Sequence, residues 1–300
     1  MTTKAKFALI DLGSNSFYMA IFETGDRPRA IKHQKKKIQL RRGLKENGSL
    51  SMRSRNAALK CLSEFSTTLK QFDVTELKIL GTYTFRKLAH NDVFLKEAQT
   101  ILEHPITILS GEEEARLIFV GASQHLRPNV PRLFIDIGGG STELTIGQNN
   151  KLSVSTSLEM GCVSVQQQFF KDNQLTKSNI NHAIDYAKEI LAPIQKTYTL
   201  NHWDEVIGSS GTILSIVNII HPKHRSRTII YDNLLWLKQR LESLKHTDKV
   251  KFHGLRTDRE NLLPGGLCIL IAIFQCLDVS SITLARGGLR EGIIHEHLTT

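Results

Sequence analysis

The period of apolar positions predicts strands over residues 7–12, 16–23 and about 29–39, in meander order, with the first two joined by a tight "GSN" turn. Ser51 is placed to cap a following helix on which Ala58, Leu62, Phe65 and Leu69 share one face. "ELKILGTY" reads as a strand, Asn91 as the cap of a helix through Ile101, and Ile106 to Leu109 as a short strand before a helix opening at Gly111. The pattern then restarts. "RLFIDIG", "STELTIG" and "LSVSTSL" form a second meander, followed by helical stretches near 161–171 and 176–196, the strand "EVIG" and a helix after Gly211. An apolar helix from Gly265 to Cys276, a strand "SITLA" and a last helix after Gly287 complete the chain.

Two meanders, each followed by helices, imply an α/β chain of two similar domains facing across a cleft. The proline-bearing segment His125 to Arg132 is the best boundary, so domains of 1–126 and 127–300 are expected, with the last helix able to pack back on the first. A length of 300 residues with 40% hydrophobic side chains suits two domains of roughly 100–200 residues each.

Charge narrows the partners. The formal net charge is +10, which favours an anionic ligand, and it is concentrated in Lys32, Lys35, Lys36, Lys37, Arg41, Arg42 and Lys45. Two readings of that segment stay open: a sheet edge kept soluble by lysine, or a track for a polyanion. No nucleic-acid-binding module accompanies the charge, and aromatic residues make up only 7%, so nucleic acid is a poor candidate partner. No stretch approaches the roughly 18 apolar residues of a membrane span, and the start leads directly into a strand, so a cytoplasmic chain is expected. Cys61, Cys162, Cys268 and Cys276 show no metal-ligand spacing and read as small buried hydrophobes.

The two restarts share a construction. "FALIDLGSNSF" and "FIDIGGGST" each run apolar residues into Asp, Gly and small side chains, with Asp11 and Asp136 as matching positions. Such turns bring backbone N–H groups against a ligand and favour anions, phosphate above all. Ser14, Asn15 and Ser16 on one loop, with Gly138, Gly139, Gly140 and Ser141 on the other, supply donors, while Asp11, Asp136 and Glu143 are hard oxygen ligands suited to Mg²⁺. Glu112, Glu113 and Glu114 sit at a helix start that favours negative charge in any case.

"IDLGSNSF", "GEEEARLIF", "IDIGGGSTEL", "MGCVSV", "GSSGT" and "GLREGII" follow one another as in the exopolyphosphatase and guanosine pentaphosphate phosphohydrolase (Ppx/GppA) family, which the chain resembles over essentially its whole length. That family belongs to the actin, hexokinase and heat-shock chaperone superfamily. The resemblance implies two duplicated ribonuclease-H-like domains and Mg²⁺-assisted release of a terminal phosphoryl group from polyphosphate or guanosine pentaphosphate. It also implies Glu114 as the base for the attacking water, Arg86 as a phosphate-binding cation, and "GSSGT", with Gly208, Ser209, Gly211 and Thr212, as a substrate-binding loop.

Two departures bear on this. Ala285 and Arg286 stand where the family commonly has Ser and Asp before "LREG", and the chain stops at Thr300 without the C-terminal helical domains of longer relatives. Because of Arg286 a non-catalytic sensor of polyphosphate or alarmone stays open besides hydrolysis; a superfamily kinase is the further alternative, against which the carboxylate on the helix after "TILSG" favours water as acceptor. A homodimer is a further option.

Overall fold

The computed structural model describes residues 5–25, 29–88, 93–149, 151–199, 202–223 and 226–299. The Asn91 cap expected from the sequence lies outside these. Two compact units form, Met1–Ser110 with His297–Thr300 and Gly111–Glu296.

In the first unit the strands β1 (Lys6–Leu12), β2 (Ser16–Glu23) and β3 (Arg29–Lys37) pair antiparallel in sequence order, as the meander reading expects. The strands β4 (Glu76–Gly81) and β5 (Thr107–Ile108) add in parallel on the other side of β1, so the sheet order is β3-β2-β1-β4-β5. Central β1 is covered on both faces from Phe7 on, which is why after Lys6 it reads as an apolar run broken only by Asp11. The helix α1 (Met52–Gln71) starts where Ser51 accepts from the Ser54 N–H at 3.4 Å and buries Ala58, Leu62, Phe65 and Leu69, all four positions of the predicted face. Two more helices, α2 (Tyr83–Arg86) and α3 (Val93–Leu102), complete this layer.

At the edge, β3 exposes Lys35 and Lys37, while Lys36 pairs with Glu64 of α1 at 3.0 Å. A lysine-rich edge strand resists sheet-to-sheet pairing, and the exposed position suits that reading without deciding against the polyanion track.

The second unit repeats the plan. The meander β6 (Arg132–Ile137), β7 (Thr142–Gln148) and β8 (Lys151–Leu158) is extended in parallel from β6 by β9 (Glu205–Ser209) and β11 (Ser281–Leu284), with β10 (Thr228–Ile230) antiparallel at the far edge. Its helices are α4 (Gly111–Ser123), α5 (Cys162–Phe169), α6 (Lys177–Leu191), α7 (Ser210–Ile220), α8 (Tyr231–Leu244), α9 (Leu263–Cys276) and α10 (Leu289–Thr299), whose last residues count with the first unit. Apolar all round, α9 is buried over nearly its whole length. The 176–196 helix expected from the sequence ends as α6 at Leu191, because Pro193 lacks the N–H that an α-helix needs, and a 3-10 turn follows.

The division falls at Ser110 rather than at the prolines near residue 126, and α4 packs with the second sheet. Phe119 on α4 stands edge-on to Phe134 of β6 with ring centroids 5.0 Å apart, and a side chain at Gly147 would strike the Phe119 ring. Gly121 also meets the backbone of α10, where a Cβ at Gly292 would lie 1.9 Å from the Leu117 carbonyl oxygen. The glycines of "GLREG" thus allow two helix backbones to touch.

Candidate functional site

The chemistry gathers at the strand ends of each sheet, where the two loops lie. In the second unit, Asp136 and Glu143 are direct partners across the β6–β7 ladder, one on each side of the Gly138–Ser141 turn. Asp136 accepts a hydrogen bond from Ser209 Oγ, and Glu143 Oε1 accepts from Ser157 Oγ at 2.9 Å. Glu143 is almost completely buried. That burial, and then the like charges of Glu114 and Asp136, push its carboxyl well above the ordinary range, with hydrogen bonds from Ser141 and Ser157 opposing. Three acidic side chains therefore share one electrostatic site. Among the described residues no three His, Cys, Asp or Glu side chains close into a preformed metal cage.

The glutamate run resolves by helix phase. Glu112 is exposed, Glu113 pairs with Arg116 at 2.7 Å, and Glu114 is buried at 8% exposure toward Glu143. Of the three, Glu114 is the one aimed into the acidic site.

The glycine loop between β6 and β7 is held from behind. The Gly138 carbonyl accepts the Cys162 N–H at 2.9 Å, and the Gly139 carbonyl accepts those of Val163 at 2.9 Å and Ser164 at 3.3 Å, all from the first turn of α5. The peptides are trans, so the Gly139 and Gly140 N–H groups point the opposite way, away from α5. Two amide donors are thereby presented together, as an anion requires. The approach is so close that a Cβ at Gly161 would sit 2.5 Å from both the Gly139 carbonyl carbon and the Gly140 nitrogen.

The "GSSGT" loop borders the same site. Thr212 Oγ1 donates to the Ile137 carbonyl at 2.9 Å, and Gly208 accepts from the Ala285 N–H at 2.8 Å, which ties β11 to it. Ser210 carries a φ of 88°, in the left-handed region that favours glycine, and its Oγ accepts from the Thr212 N–H at 3.2 Å. Such strain concentrates at functional loops. The Arg259 guanidinium lies against Gly211, where a Cβ would come within 2.1 Å of Nη2. Of the two departures from the family, Ala285 packs with Phe119, Phe134 and Ile207, and Arg286 is exposed.

In the first unit Asp11, Ser14, Asn15 and Ser16 are all buried. The Asn15 carbonyl accepts the Ile38 and Gln39 N–H groups at 3.0 and 2.8 Å, and the Ser14 carbonyl accepts that of Arg41 at 3.0 Å. The loop is again tied back by its carbonyls, here to the turn after β3. Thr84 Oγ1 donates to Ser14 Oγ at 2.8 Å, and the Asn15 Oδ1 atom is buried without a hydrogen-bond partner. Arg86 donates from Nη1 to the Leu109 carbonyl at 3.0 Å. Around the buried Tyr83 ring stand the Arg41 and Arg86 guanidinium carbons, 5.9 and 5.6 Å from its centroid, and the Lys87 ammonium at 5.8 Å.

The loop residues expected from the sequence lie at strand ends or, for Gly211 and Thr212, in the first turn of α7. Asp136, Glu143, Ser141, Ser209 and Glu114 come together in the second unit; Asp11, Ser14, Asn15, Ser16 and Arg86 belong to the first. Tyr83, Lys87, Ser157 and Arg259 are not singled out by the sequence, because their places depend on contacts distant in the chain. Of these only Lys87, beside the Arg86 expected from the sequence, lay next to a local signal. Cys61, Cys162 and Cys268 are buried and Cys276 partly so, and burial pushes the Cys61 and Cys268 thiols up to about 12.

The sequence model of the Ppx/GppA phosphatase family matches residues 21–300. The guanosine-5'-triphosphate,3'-diphosphate pyrophosphatase of Aliivibrio fischeri is 40% identical over 295 residues, which cover 98% of this chain and 59% of that protein. The Vibrio cholerae protein of the same name is 38% identical over 291 residues, with 97% and 59% covered. The chain thus spans less than two thirds of the length of these curated relatives. Among solved structures, an exopolyphosphatase from Cytophaga hutchinsonii superposes with a TM-score of 0.86 at 22% identity, over 98% of each chain. The PPX-GPPA enzyme of Aquifex aeolicus gives 0.78 at 21%, over 98% of this chain and 100% of that one. These likenesses establish the fold of two duplicated α/β units. Among the described residues no helix is long and apolar enough to cross a membrane.

Proposed function

The chain belongs to the Ppx/GppA phosphatase family, and from that premise we propose that it hydrolyses the terminal phosphoric anhydride of guanosine pentaphosphate or inorganic polyphosphate. The observation that carries this reading is the burial of Glu114 against Asp136 and Glu143, beside a loop that presents paired amide donors. In phosphoryl transfer the protein positions groups and neutralises charge rather than forming bonds itself. A carboxylate poised for water and amides poised for phosphate oxygens are the two parts that such hydrolysis needs.

Glu114 takes the role of base: it accepts a proton from the water whose oxygen attacks the terminal phosphorus, as the bond to the bridging oxygen breaks. The Gly139 and Gly140 amides hold non-bridging oxygens of the substrate, and Arg86 in the first unit supplies a cation for phosphate. The donor set of the second unit fits Mg²⁺, because it consists of hard oxygens and Glu143 is held in a cluster of like charge. Within the second unit Asp136 and Glu143 are the residues that would hold the ion, which would neutralise charge on the phosphate oxygens; Asp11 holds the matching position in the first unit. Ser209, Gly211 and Thr212 shape the substrate side of the "GSSGT" loop.

Phosphate release from guanosine pentaphosphate, long polyphosphate, tripolyphosphate and ATP, compared with and without Mg²⁺, tests the proposal. Mg²⁺-dependent release from at least one of the first three is expected. Binding of these ligands without turnover would replace the hydrolase by a sensor.

A further inference from the structure

The edge strand β3 sorts its charges by face. Gln34 Nε2 donates to Thr68 Oγ1 at 3.2 Å and Lys36 pairs with Glu64 at 3.0 Å, so these even-numbered residues turn toward α1. Side chains alternate along a strand, and the ladder with β2 is regular from Lys32 to Lys37, so His33, Lys35 and Lys37 share the opposite face. All three are exposed.

The row has a direction. Lys37 is the Cα partner of Ser16, and the chain just beyond it is bonded to the first loop through the Ile38 and Gln39 N–H groups on the Asn15 carbonyl. From that end the three positions recede from the loop by about 7 Å at each step, about 13 Å in all. Residues 16–22 of β2 and 31–37 of β3, which form these rungs, include no Asp or Glu. Glu23 stands at the far end, where it pairs with Arg29 at 3.6 Å. Among the described residues neither Lys37 nor His33 has a carboxylate partner.

Protection of a sheet edge does not by itself call for this arrangement. The edge strand β8 of the second sheet, eight residues long against nine, carries one lysine where β3 carries four. The protection a lysine gives an edge is also independent of the face it turns to. Positive charge lined up on one face, with no acid in the ladder beside it and one end at a phosphate-type loop, complements an extended anion. We propose that the face of β3 bearing His33, Lys35 and Lys37 is a docking track for the part of an inorganic polyphosphate chain that extends away from the first loop, a proposal that deepens the phosphohydrolase reading and rests on it. Guanosine pentaphosphate divides its charge between two short groups, whereas a row of this length is matched by a chain with charge on every unit.

The test compares two double variants of the full chain, Lys35→Gln/Lys37→Gln on the exposed face and Lys32→Gln/Lys36→Gln on the α1 face, each removing two charges from the same strand. Binding of long polyphosphate, tripolyphosphate and a single-stranded oligonucleotide is followed by calorimetry over a range of salt. The first variant should bind long polyphosphate about tenfold more weakly at low salt. It should also lower the slope of log affinity against log salt by about 1.4, since each neutralised phosphate of a single strand contributes about 0.7. The second variant should change the slope by well under that, and tripolyphosphate, too short to follow the row, should lose less in the first variant than the long chain does. Lys37→Gln and Lys36→Gln repeat the comparison should a double variant fail to fold. Equal losses from the two faces, or none from either, leave only a solubilising edge and overturn the track. Oligonucleotide binding as tight as that of polyphosphate, with the same loss, assigns the face to nucleic acid and overturns it as well. The hydrolase reading is untouched by these outcomes and falls only if the wild-type chain releases no phosphate, in which case the binding measurements still decide the track.

Discussion

Gly161 is the position where a single methyl group should cost activity without touching any reacting group. Its φ of −146° and ψ of 168° are comfortable for any residue, so alanine brings no backbone strain there. Space is the obstacle. The new Cβ would lie 2.5 Å from the Gly139 carbonyl carbon and the Gly140 nitrogen, where ordinary contact begins at 3.4 Å, so about 0.9 Å of separation must be found. The helix α5 has no room to retreat, because its other side is pressed on α9: a Cβ at Gly265 would be 2.6 Å from the Cys162 carbonyl oxygen. The glycine loop must give way instead, and both amide donors move with it. A displacement near 1 Å in a positioning element costs about 100-fold in rate, and overpacking of this kind destabilises by about 1–3 kcal/mol. The assay is kcat/KM for phosphate release in Gly161→Ala, beside a thermal melt. Ser164→Ala separates the two effects, because it removes the Ser164 Oγ bond to the Gly161 N–H at 2.8 Å and so weakens the helix start by about 1 kcal/mol without pushing the loop. If Gly161→Ala is folded and keeps kcat/KM within about threefold of wild type, the loop is not positioned from behind by α5. If Ser164→Ala loses as much activity, instability and not geometry is the cause.

Three further outcomes follow from particular contacts. Glu114→Gln should lower kcat at least about 100-fold with little change in KM, whereas Glu112→Gln, at an exposed position, should lower it little; equal losses would mean that the buried carboxylate is not the base. Gly292→Ala should destabilise by about 3 kcal/mol in denaturant melts, because the methyl meets the rigid Leu117 carbonyl of α4 rather than a movable side chain. His297 stacks on Phe7 with centroids 3.6 Å apart, and burial lowers its pKa below 6.5 while Glu76 opposes. Its neutral form is the one that folding favours, so stability is fully present above pH 6.5 and falls as the pH drops through the lowered value. His297→Gln should flatten the unfolding free energy over that interval, and an unchanged pH slope would remove His297 as its source.

The duplicated loops were legible because the signal is local: an apolar strand, a carboxylate at its end and small residues beyond it are adjacent in the chain, as are Asp136, Gly138 to Ser141 and Glu143. The face of α1 and the buried α9 were legible for the same reason, since helical period and uniform apolarity appear within one window. The amphipathic α8 and the short β10 went unread, between stronger signals on either side. Choosing among Glu112, Glu113 and Glu114 was beyond the sequence by itself, which reached Glu114 only by resemblance, because the burial of a helix face depends on what the helix packs against. The tertiary structure made that choice by laying α4 on the second sheet, through Phe119, Gly121 and Gly147, which also moved the division of the chain to Ser110. Arg41 shows the limit most clearly. In the sequence it is one of several neighbouring cations, and only the return of the chain after β3 to the Ser14 carbonyl separates it from the edge-strand lysines and sets it on the ring of Tyr83, a contact between residues far apart in the chain that no local pattern encodes.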